Sequence, residues 1–314
     1  MKRILFTLTL LFAIGLSACK KNGVQPDIKE YDQQQIQAYI AANGLTGFQK
    51  DTTGKSLGQD TTGIWYKIIT PGTGNPQDSL GYATPASYVY TEKSFDNKFI
   101  LTDTIADHIY GVVGHVTPKG LMLSLHNILK YKGAKVRLLI PSHMAWGVNG
   151  YGTGSSTVSN GRIAGNQCLD FTISVITDQA AYDQVSITKY IAANNLTGYT
   201  KTADGLWYKI TTAPTGTDKI NMNSTVTLTY TGTLFNGVVF DNLNATNSAT
   251  FADLSQYATG FVEGLLTLGK SNGSISIIMP SALGYGTTAN GASGGTIPAN
   301  SCLRFEISVT TVTN

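Results

Sequence analysis

The chain has 314 residues, of which 42% are hydrophobic and only 13% are charged, and its formal net charge is +3. With 34 glycines and 16 tyrosines, this composition is typical of a globular protein with many strands and turns, and it excludes a disordered chain. The length allows two ordinary domains with cores of their own. A basic stripe of the kind that binds nucleic acid is absent from the sequence, so we expect no nucleic-acid partner.

The N-terminus has the features of an export signal. Two basic residues precede an apolar run at residues 4–16, which is too short to span a bilayer. The run leads into Leu-Ser-Ala-Cys, which resembles a bacterial lipobox. That resemblance implies a signal peptide at residues 1–18 and a lipid anchor on Cys19, with no spanning helix. The alternative is an ordinary signal peptide followed by an incidental cysteine. Lys20 favours the outer membrane of the bacterial cell envelope.

Much of the remaining chain is an internal duplication. IQAYIAANGLTGFQK, from Ile36, is similar to ITKYIAANNLTGYTK, from Ile187, and LLIPSHMAWG, from Leu138, is similar to IIMPSALGYG, from Ile277. A period this long indicates duplicated domains and not a solenoid of short repeats. We therefore divide the mature chain into three segments: a tether (19–29), a first domain (30–177) and a second domain (178–314).

Each copy opens with a helical pattern and continues with strand patterns. Ile36, Tyr39 and Ile40 recur at helical spacing, and the second copy repeats this pattern. Strict alternation at residues 225–230 and 303–309 predicts strands. A short helix fits residues 261–268. The pattern predicts an α+β fold of two domains, each a curved antiparallel sheet packed on a short helix and preceded by a linker helix.

The two cysteines outside the signal segment occupy the same position of the two copies. Cys168 lies in NQCLDFTISV and Cys302 in NSCLRFEISV. Equivalent core positions of separate domains do not face each other, so we expect no disulfide between them. Both are interpreted as small buried hydrophobic residues.

One carboxylate stands out in this weakly charged chain. In TYTGTLFNGVVFD, two apolar runs flank a turn at Asn236 and Gly237, and the second run ends at Asp241. An Asp-Asn pair often begins a turn, which is the simplest reading of Asp241. The alternative is a carboxylate placed at the rim of a pocket.

Four blocks of the second copy decide between these readings: VTLTYTGTLFNGVVFD, YATGFVEGL, IMPSALGYG and GTIPANSCLRFEISV. Together, over about residues 225–309, they resemble the FKBP family of macrolide-binding peptidyl-prolyl cis-trans isomerases. The resemblance implies an aromatic pocket for a proline ring, with Phe261 as its floor. Its other implied substrate-binding residues are Tyr230, Phe240, Phe251, Tyr257, Ala258, Ile297 and Phe305.

The resemblance also implies roles for three groups. The backbone N–H of Ala258 and the hydroxyl of Tyr285 would bind substrate carbonyls, and Asp241 would lie at the rim, so Asp241 and Tyr285 are the catalytic candidates. The reaction twists an amide against a barrier of about 18–20 kcal/mol, which requires no metal and no cofactor. Macrolide binding stays open, because phenylalanine replaces the usual tryptophan at Phe261 and residues 242–249 lack the usual arginine. Tyr257 and Ala258 also replace aliphatic residues that are commoner in the family.

The first copy, from about residue 87 to 176, departs further from the pattern. Ile100 and Leu101 replace the Phe-Asp pair, and Trp146 stands where the second copy has Tyr285. The floor position is taken by Leu121 or Met122. We interpret this copy as a degenerate domain. It also contains all four histidines, which are expected to be scattered on the surface because their spacing fits no metal motif: His108, His115, His126 and His143.

These observations favour a lipid-anchored prolyl isomerase that acts on proline-containing polypeptides and assists protein folding in the envelope, with its activity in the second domain. One rival is a non-catalytic peptide-binding or chaperone lipoprotein. Another is a surface lipoprotein that uses the fold only as a scaffold. A serine hydrolase has little support, since the second copy has no histidine to activate a serine.

Overall fold

The computed structural model describes residues 27–53, 61–104, 108–157, 161–244, 246, 248–292 and 295–314. The predicted signal segment and Cys19 lie outside the described residues. Within these ranges, no helix combines the length and the apolar character needed to cross a membrane.

The first domain opens with helix α1 (Ile28–Ala42), which starts before the predicted helical pattern at Ile36. Its second helix, α2 (Lys119–Ser124), continues into a π-helical turn at Leu125–Leu129. The strands are β1 (Gln49–Lys50), β2 (Trp65–Thr70), β3 (Pro85–Ser94), β4 (Ile100–Leu101), β5 (His108–Val112), β6 (Lys135–Ile140) and β7 (Leu169–Ile176). Short 3₁₀ turns lie at Pro76–Asp78, Val113–His115, Ser142–Met144 and Gly147–Asn149.

The second domain repeats this plan with helices α3 (Gln179–Ala193) and α4 (Thr259–Leu268). Its strands are β8 (Thr200–Lys201), β9 (Trp207–Thr212), β10 (Thr225–Leu234), β11 (Val239–Leu243), β12 (Ala249–Phe251), β13 (Gly273–Met279), β14 (Asn290–Ala292), β15 (Gly295–Ile297) and β16 (Leu303–Thr313). Its 3₁₀ turns lie at Leu254–Gln256 and Ser281–Leu283.

The two domains have the same sheet topology. The first sheet has the order β1-β2-β6-β7-β3-β4, with β5 also paired to β3, and the second has β8-β9-β13-β16-β10-β11, with β12 also paired to β10. Each ladder between neighbouring strands is antiparallel. The predicted α+β duplication is therefore confirmed.

Each sheet is covered on both faces. On one face the short helix closes the main core, which in the second domain joins α4 residues such as Leu265 to β10 residues such as Leu228. On the other face the linker helix forms a smaller cluster, in which Ile187 packs with Ile278 and Cys302. This cluster has a counterpart around Cys168 in the first domain. Both cysteines are buried and free, in separate clusters.

A buried aspartate fastens each linker helix to the turn that follows a central strand. Asp183 on α3 accepts hydrogen bonds from the backbone N–H of Ser281 (2.8 Å) and from its hydroxyl (2.6 Å). Asp32 on α1 accepts from the hydroxyl of Ser142 (2.7 Å) and from the backbone N–H of His143 (3.1 Å). These aspartates were not among the residues selected from the sequence. Burial raises the pKa of Asp183. At Asp32 burial acts in the same direction, but hydrogen bonds from His143 and Ser142 outweigh it and lower the pKa.

The histidines correct one prediction. His115 is exposed, but His108 is only 5% exposed. It lies within hydrogen-bonding distance of the Ser87 hydroxyl (2.9 Å) and packs edge-on against Tyr182 of the second domain. His143 pairs with Asp32 (2.6 Å). Surface exposure is thus wrong for His108, because β5 carries it to the contact between the domains.

Candidate active site in the second domain

The hairpin of β10 and β11 places two adjacent side chains at one cavity. In a regular strand, Phe240 and Asp241 would point to opposite faces of the sheet. The pairing register shifts here, from Gly232 opposite Asp241 to Thr233 opposite Val239, which leaves Phe240 as an extra residue. Such a bulge redirects side chains. Both residues consequently line the same cavity.

That cavity has a volume of about 210 Å³ and opens to solvent in the second domain. Its lining contains most of the residues selected from the sequence: Tyr230, Phe240, Asp241, Phe251, Tyr257, Ala258, Phe261, Tyr285 and Phe305. The rings meet mainly edge to face, with centroids 5.6 Å apart for Tyr230 and Phe261 and 5.3 Å apart for Phe261 and Phe305. Edge-to-face packing is the arrangement that aromatic rings prefer. Aromatic rings therefore form most of the wall, and polar groups share its surface.

Ile297 is the exception among the selected residues. It is 1% exposed and belongs to the core beneath the cavity, and it is not part of the lining. β15 pairs with β14 as a separate ribbon, with Ile297 opposite Asn290. Its contact with the substrate stays a prediction.

Asp241 is half-buried, and its contacts fix its orientation. Its Oδ2 accepts a hydrogen bond from the Tyr230 hydroxyl (2.5 Å), and its Oδ1 accepts from the backbone N–H of Asn242 (2.9 Å). Burial, followed by the contact with Asp241, raises the pKa of Tyr230. The carboxylate therefore borders the cavity, held by Tyr230, which stays protonated as its donor.

Tyr285 and Ala258 bring polar groups to the same cavity from two turns. Tyr285 follows the 3₁₀ turn that Asp183 holds, and Gly286 after it has a left-handed φ of +59°. Burial, followed by the charge of Asp241, raises the pKa of Tyr285, so its hydroxyl remains a donor. Ala258 caps α4, and its carbonyl accepts the first helical hydrogen bond, from Phe261 (2.9 Å). The N–H of a capping residue makes no hydrogen bond within the helix, so it can donate one to a ligand.

Gly232 was not among the residues selected from the sequence, although it belongs to the YTG motif. A Cβ at this position would lie 2.6 Å from two ring carbons of Phe240 and 2.9 Å from one of Phe305. Only glycine leaves room for both rings against the strand. The signal in the sequence was a glycine inside an otherwise alternating strand, which often marks close packing or a bulge.

The first domain has the same framework without these groups. Its register places Leu101 opposite Glu92, where the second domain has Asp241 opposite Gly232. The Glu92 side chain is buried, so a glutamate occupies the position that must be glycine in the second domain.

The floor and the wall of the first domain also differ. A Cβ on Gly120 would meet Ile140 and Met144, and one on Gly260 would meet the matching residues of the second domain. This equivalence assigns the floor position to Leu121. Trp146 stacks on Tyr151, with centroids 4.0 Å apart.

The comparison with known families agrees with this geometry. Residues 216–310 match the family model of the FKBP-type peptidyl-prolyl cis-trans isomerase. Residues 216–310 of the second domain are thus FKBP-like.

Curated relatives and a solved structure are similar to part of this chain. A probable FKBP-type peptidyl-prolyl cis-trans isomerase of Haemophilus influenzae is 42% identical over 108 residues, which cover 34% of this chain and 43% of that protein. The outer membrane protein MIP of Legionella longbeachae is 35% identical over 108 residues, which cover 34% of this chain and 44% of that protein. The crystal structure of FkpA from Escherichia coli is similar at 30% identity and a TM-score of 0.36, covering 43% of this chain and 61% of that chain. The chain thus spans less than half the length of these two curated relatives.

Proposed function

We propose that the protein is a peptidyl-prolyl cis-trans isomerase whose activity resides in the second domain. The observation that carries the proposal is the cavity itself. It has room for a proline ring, is walled by aromatic side chains, and is bordered by the carboxylate of Asp241 and the hydroxyl of Tyr285.

These features suit the reaction. Twisting an X-Pro amide breaks its resonance, so the twisted amide is less polar than the planar one and loses less by leaving water. An apolar cavity therefore favours the transition state over the ground state. In this proposal the Tyr285 hydroxyl and the Ala258 N–H hold the carbonyls that flank the proline. Asp241, oriented by Tyr230, complements the charge that shifts on the twisting amide.

The first domain is proposed to have no isomerase activity and to serve as a spacer or a polypeptide-binding module. Buried Glu92, together with Leu121 at the floor position, supports this assignment. The clients are proposed to be proline-containing polypeptides that fold in the cell envelope.

We also propose export and lipidation on Cys19, which would place the protein at the outer membrane. The apolar run before Cys19 supports this part of the proposal, as does the Legionella relative that is named an outer membrane protein. Mass spectrometry of the N-terminal peptide from native membranes tests it. Diacylated Cys19 is expected, and an unmodified N-terminal peptide would contradict it.

A second candidate function is binding without turnover, favoured by Phe261 in place of the usual tryptophan floor. An isomerase assay on a set of X-Pro peptides separates the two. Full-length protein is expected to accelerate isomerisation, and Asp241→Ala and Tyr285→Phe are each expected to lower kcat/KM about tenfold, as the loss of one charge-assisted or neutral hydrogen bond implies. Leu101→Ala, at the matching position of the first domain, is the control and should have no effect. Peptide binding without acceleration would establish the second candidate instead.

A further inference from the structure

A second apolar depression lies beside the proline cavity in the second domain. It has a volume of about 450 Å³. Three of its lining side chains are large hydrophobic residues that remain well exposed: Met222 (44%), Leu266 (40%) and Tyr257 (37%). Single exposed hydrophobic residues are ordinary, but several around one depression indicate a contact surface. We call this surface the α4 groove.

The α4 groove is continuous with the proline cavity. Tyr257 lines both, and its ring packs on Phe251 of the cavity wall at 4.8 Å. From Tyr257 the groove follows the outer face of α4, where Val262 and Leu266 stand one turn apart. A chain that leaves the proline cavity across Tyr257 would therefore enter the groove directly.

The first domain fills the corresponding positions with different side chains. Tyr82 and His126 occupy the positions that correspond to Met222 and Leu266. In the first domain these two rings make a tilted contact, with centroids 4.2 Å apart, and Tyr82 remains 45% exposed. His126 hydrogen-bonds through Nδ1 with the carbonyl of Leu80 (2.8 Å). The second domain, which has the proline cavity, instead presents two exposed aliphatic side chains at these positions. An aliphatic surface thus accompanies the copy that carries the cavity.

One flank of the groove is acidic. Glu263 lies on α4 beside the apolar row, and its side chain is hydrogen-bonded with that of Asp204. Within the groove lining these are the charged side chains. The flank therefore favours a basic side chain over an acidic one on whatever polypeptide binds there.

We propose that the α4 groove binds the client polypeptide beyond its proline, taking a bulky apolar side chain against Met222 and Leu266 and favouring a basic residue next to it. This rests on the proposed function, in which the adjoining cavity holds the proline. Thr259 to Leu266 spans about 10 Å of helix, which is the length of about three extended residues. The groove therefore contacts client residues that a tetrapeptide substrate does not contain.

The test compares two peptides on the full-length protein. One is a capped Ala-Leu-Pro-Ala tetrapeptide. The other is a dodecapeptide with this sequence at its centre and with leucine and lysine residues on both sides. Isomerisation is followed by NMR exchange, and binding of the fluorescein-labelled peptides by anisotropy. The wild type should have about fivefold higher kcat/KM and affinity for the dodecapeptide, in line with partial burial of one leucine-sized side chain.

The double variant Met222→Ser/Leu266→Ser should remove this preference and leave tetrapeptide turnover unchanged. Val185→Ser, which alters a 53% exposed side chain on α3, is the matched control and should keep the preference. Replacing the peptide lysines with aspartates should also weaken dodecapeptide binding.

Two results would overturn the inference: an unchanged preference in the double variant, or an equal loss on both peptides, which would mean that the two residues act through the cavity. Absence of turnover on either peptide would instead reject the proposed function, and the anisotropy preference would still decide the inference.

Discussion

Gly232→Ala tests how tightly the aromatic wall is built. The new methyl group would stand 2.6 Å from two ring carbons of Phe240 and 2.9 Å from Phe305. Neither ring can easily retreat, because both are buried and already packed edge-on with centroids 5.4 Å apart. Overpacking a core by one methyl group costs about 1–3 kcal/mol, and the lower entropy of the unfolded alanine chain offsets about 0.4–1 kcal/mol of that. We expect a net destabilisation of about 1–2 kcal/mol.

Urea denaturation followed by intrinsic fluorescence measures this loss, and an isomerase assay on the same samples should show kcat/KM reduced about tenfold because both displaced rings line the cavity. Gly111→Ala on β5 is the control: a Cβ there meets no atom within 4 Å and its φ is not left-handed, so its stability should stay within about 0.5 kcal/mol of wild type. Wild-type stability and turnover in Gly232→Ala would refute the argument that glycine is required by the two rings.

Three further predictions concern the groups around the cavity. Asp183→Ala leaves the backbone N–H and the hydroxyl of Ser281 without their acceptor, so we expect the free energy of unfolding in urea to fall by about 2–3 kcal/mol. Turnover should also be slower, because the turn that Asp183 holds leads to Tyr285. An unchanged free energy of unfolding would contradict this role of Asp183. Tyr230→Phe removes the donor to Asp241, so we expect kcat to fall as well as kcat/KM. Wild-type activity in this variant would show that the contact is dispensable. Burial, followed by Asp204, raises the pKa of Glu263 from 4.5 to about 7. The folded state then binds more protons than the unfolded state between these values, and stability should fall as pH rises from about 4.5 to 7. Glu263→Gln should flatten that decline in thermal unfolding curves, and a decline of the same slope in the variant would contradict the assignment.

The regular parts of the fold could be predicted because their periodicity is local. The alternation at residues 225–230 corresponds to β10, and the apolar spacing after Phe261 corresponds to α4. The first eight residues of α1 escaped prediction because they are mostly polar and show no apolar period. Their helical conformation continues a helix whose later residues, such as Ile36, are buried against the sheet.

The features that were missed depend on contacts that are distant in the sequence. The bulge at Phe240 inserts one residue into the ladder, and this cannot be recognised without the partner strand. The clamp from Asp183 to Ser281 joins residues 98 positions apart. His108 was expected at the surface, and only the contact between the two domains buries it.

The most direct test of the central claim is to locate bound substrate. Full-length protein labelled with ¹⁵N and selectively at aromatic side chains would be titrated with a capped Ala-Leu-Pro-Ala peptide and observed by NMR. We expect the shifts to concentrate on the rings around the cavity, including Tyr230 and Phe261, while Tyr90 and Trp146 in the first domain remain unchanged. Shifts centred on Tyr90 and Trp146 would contradict it.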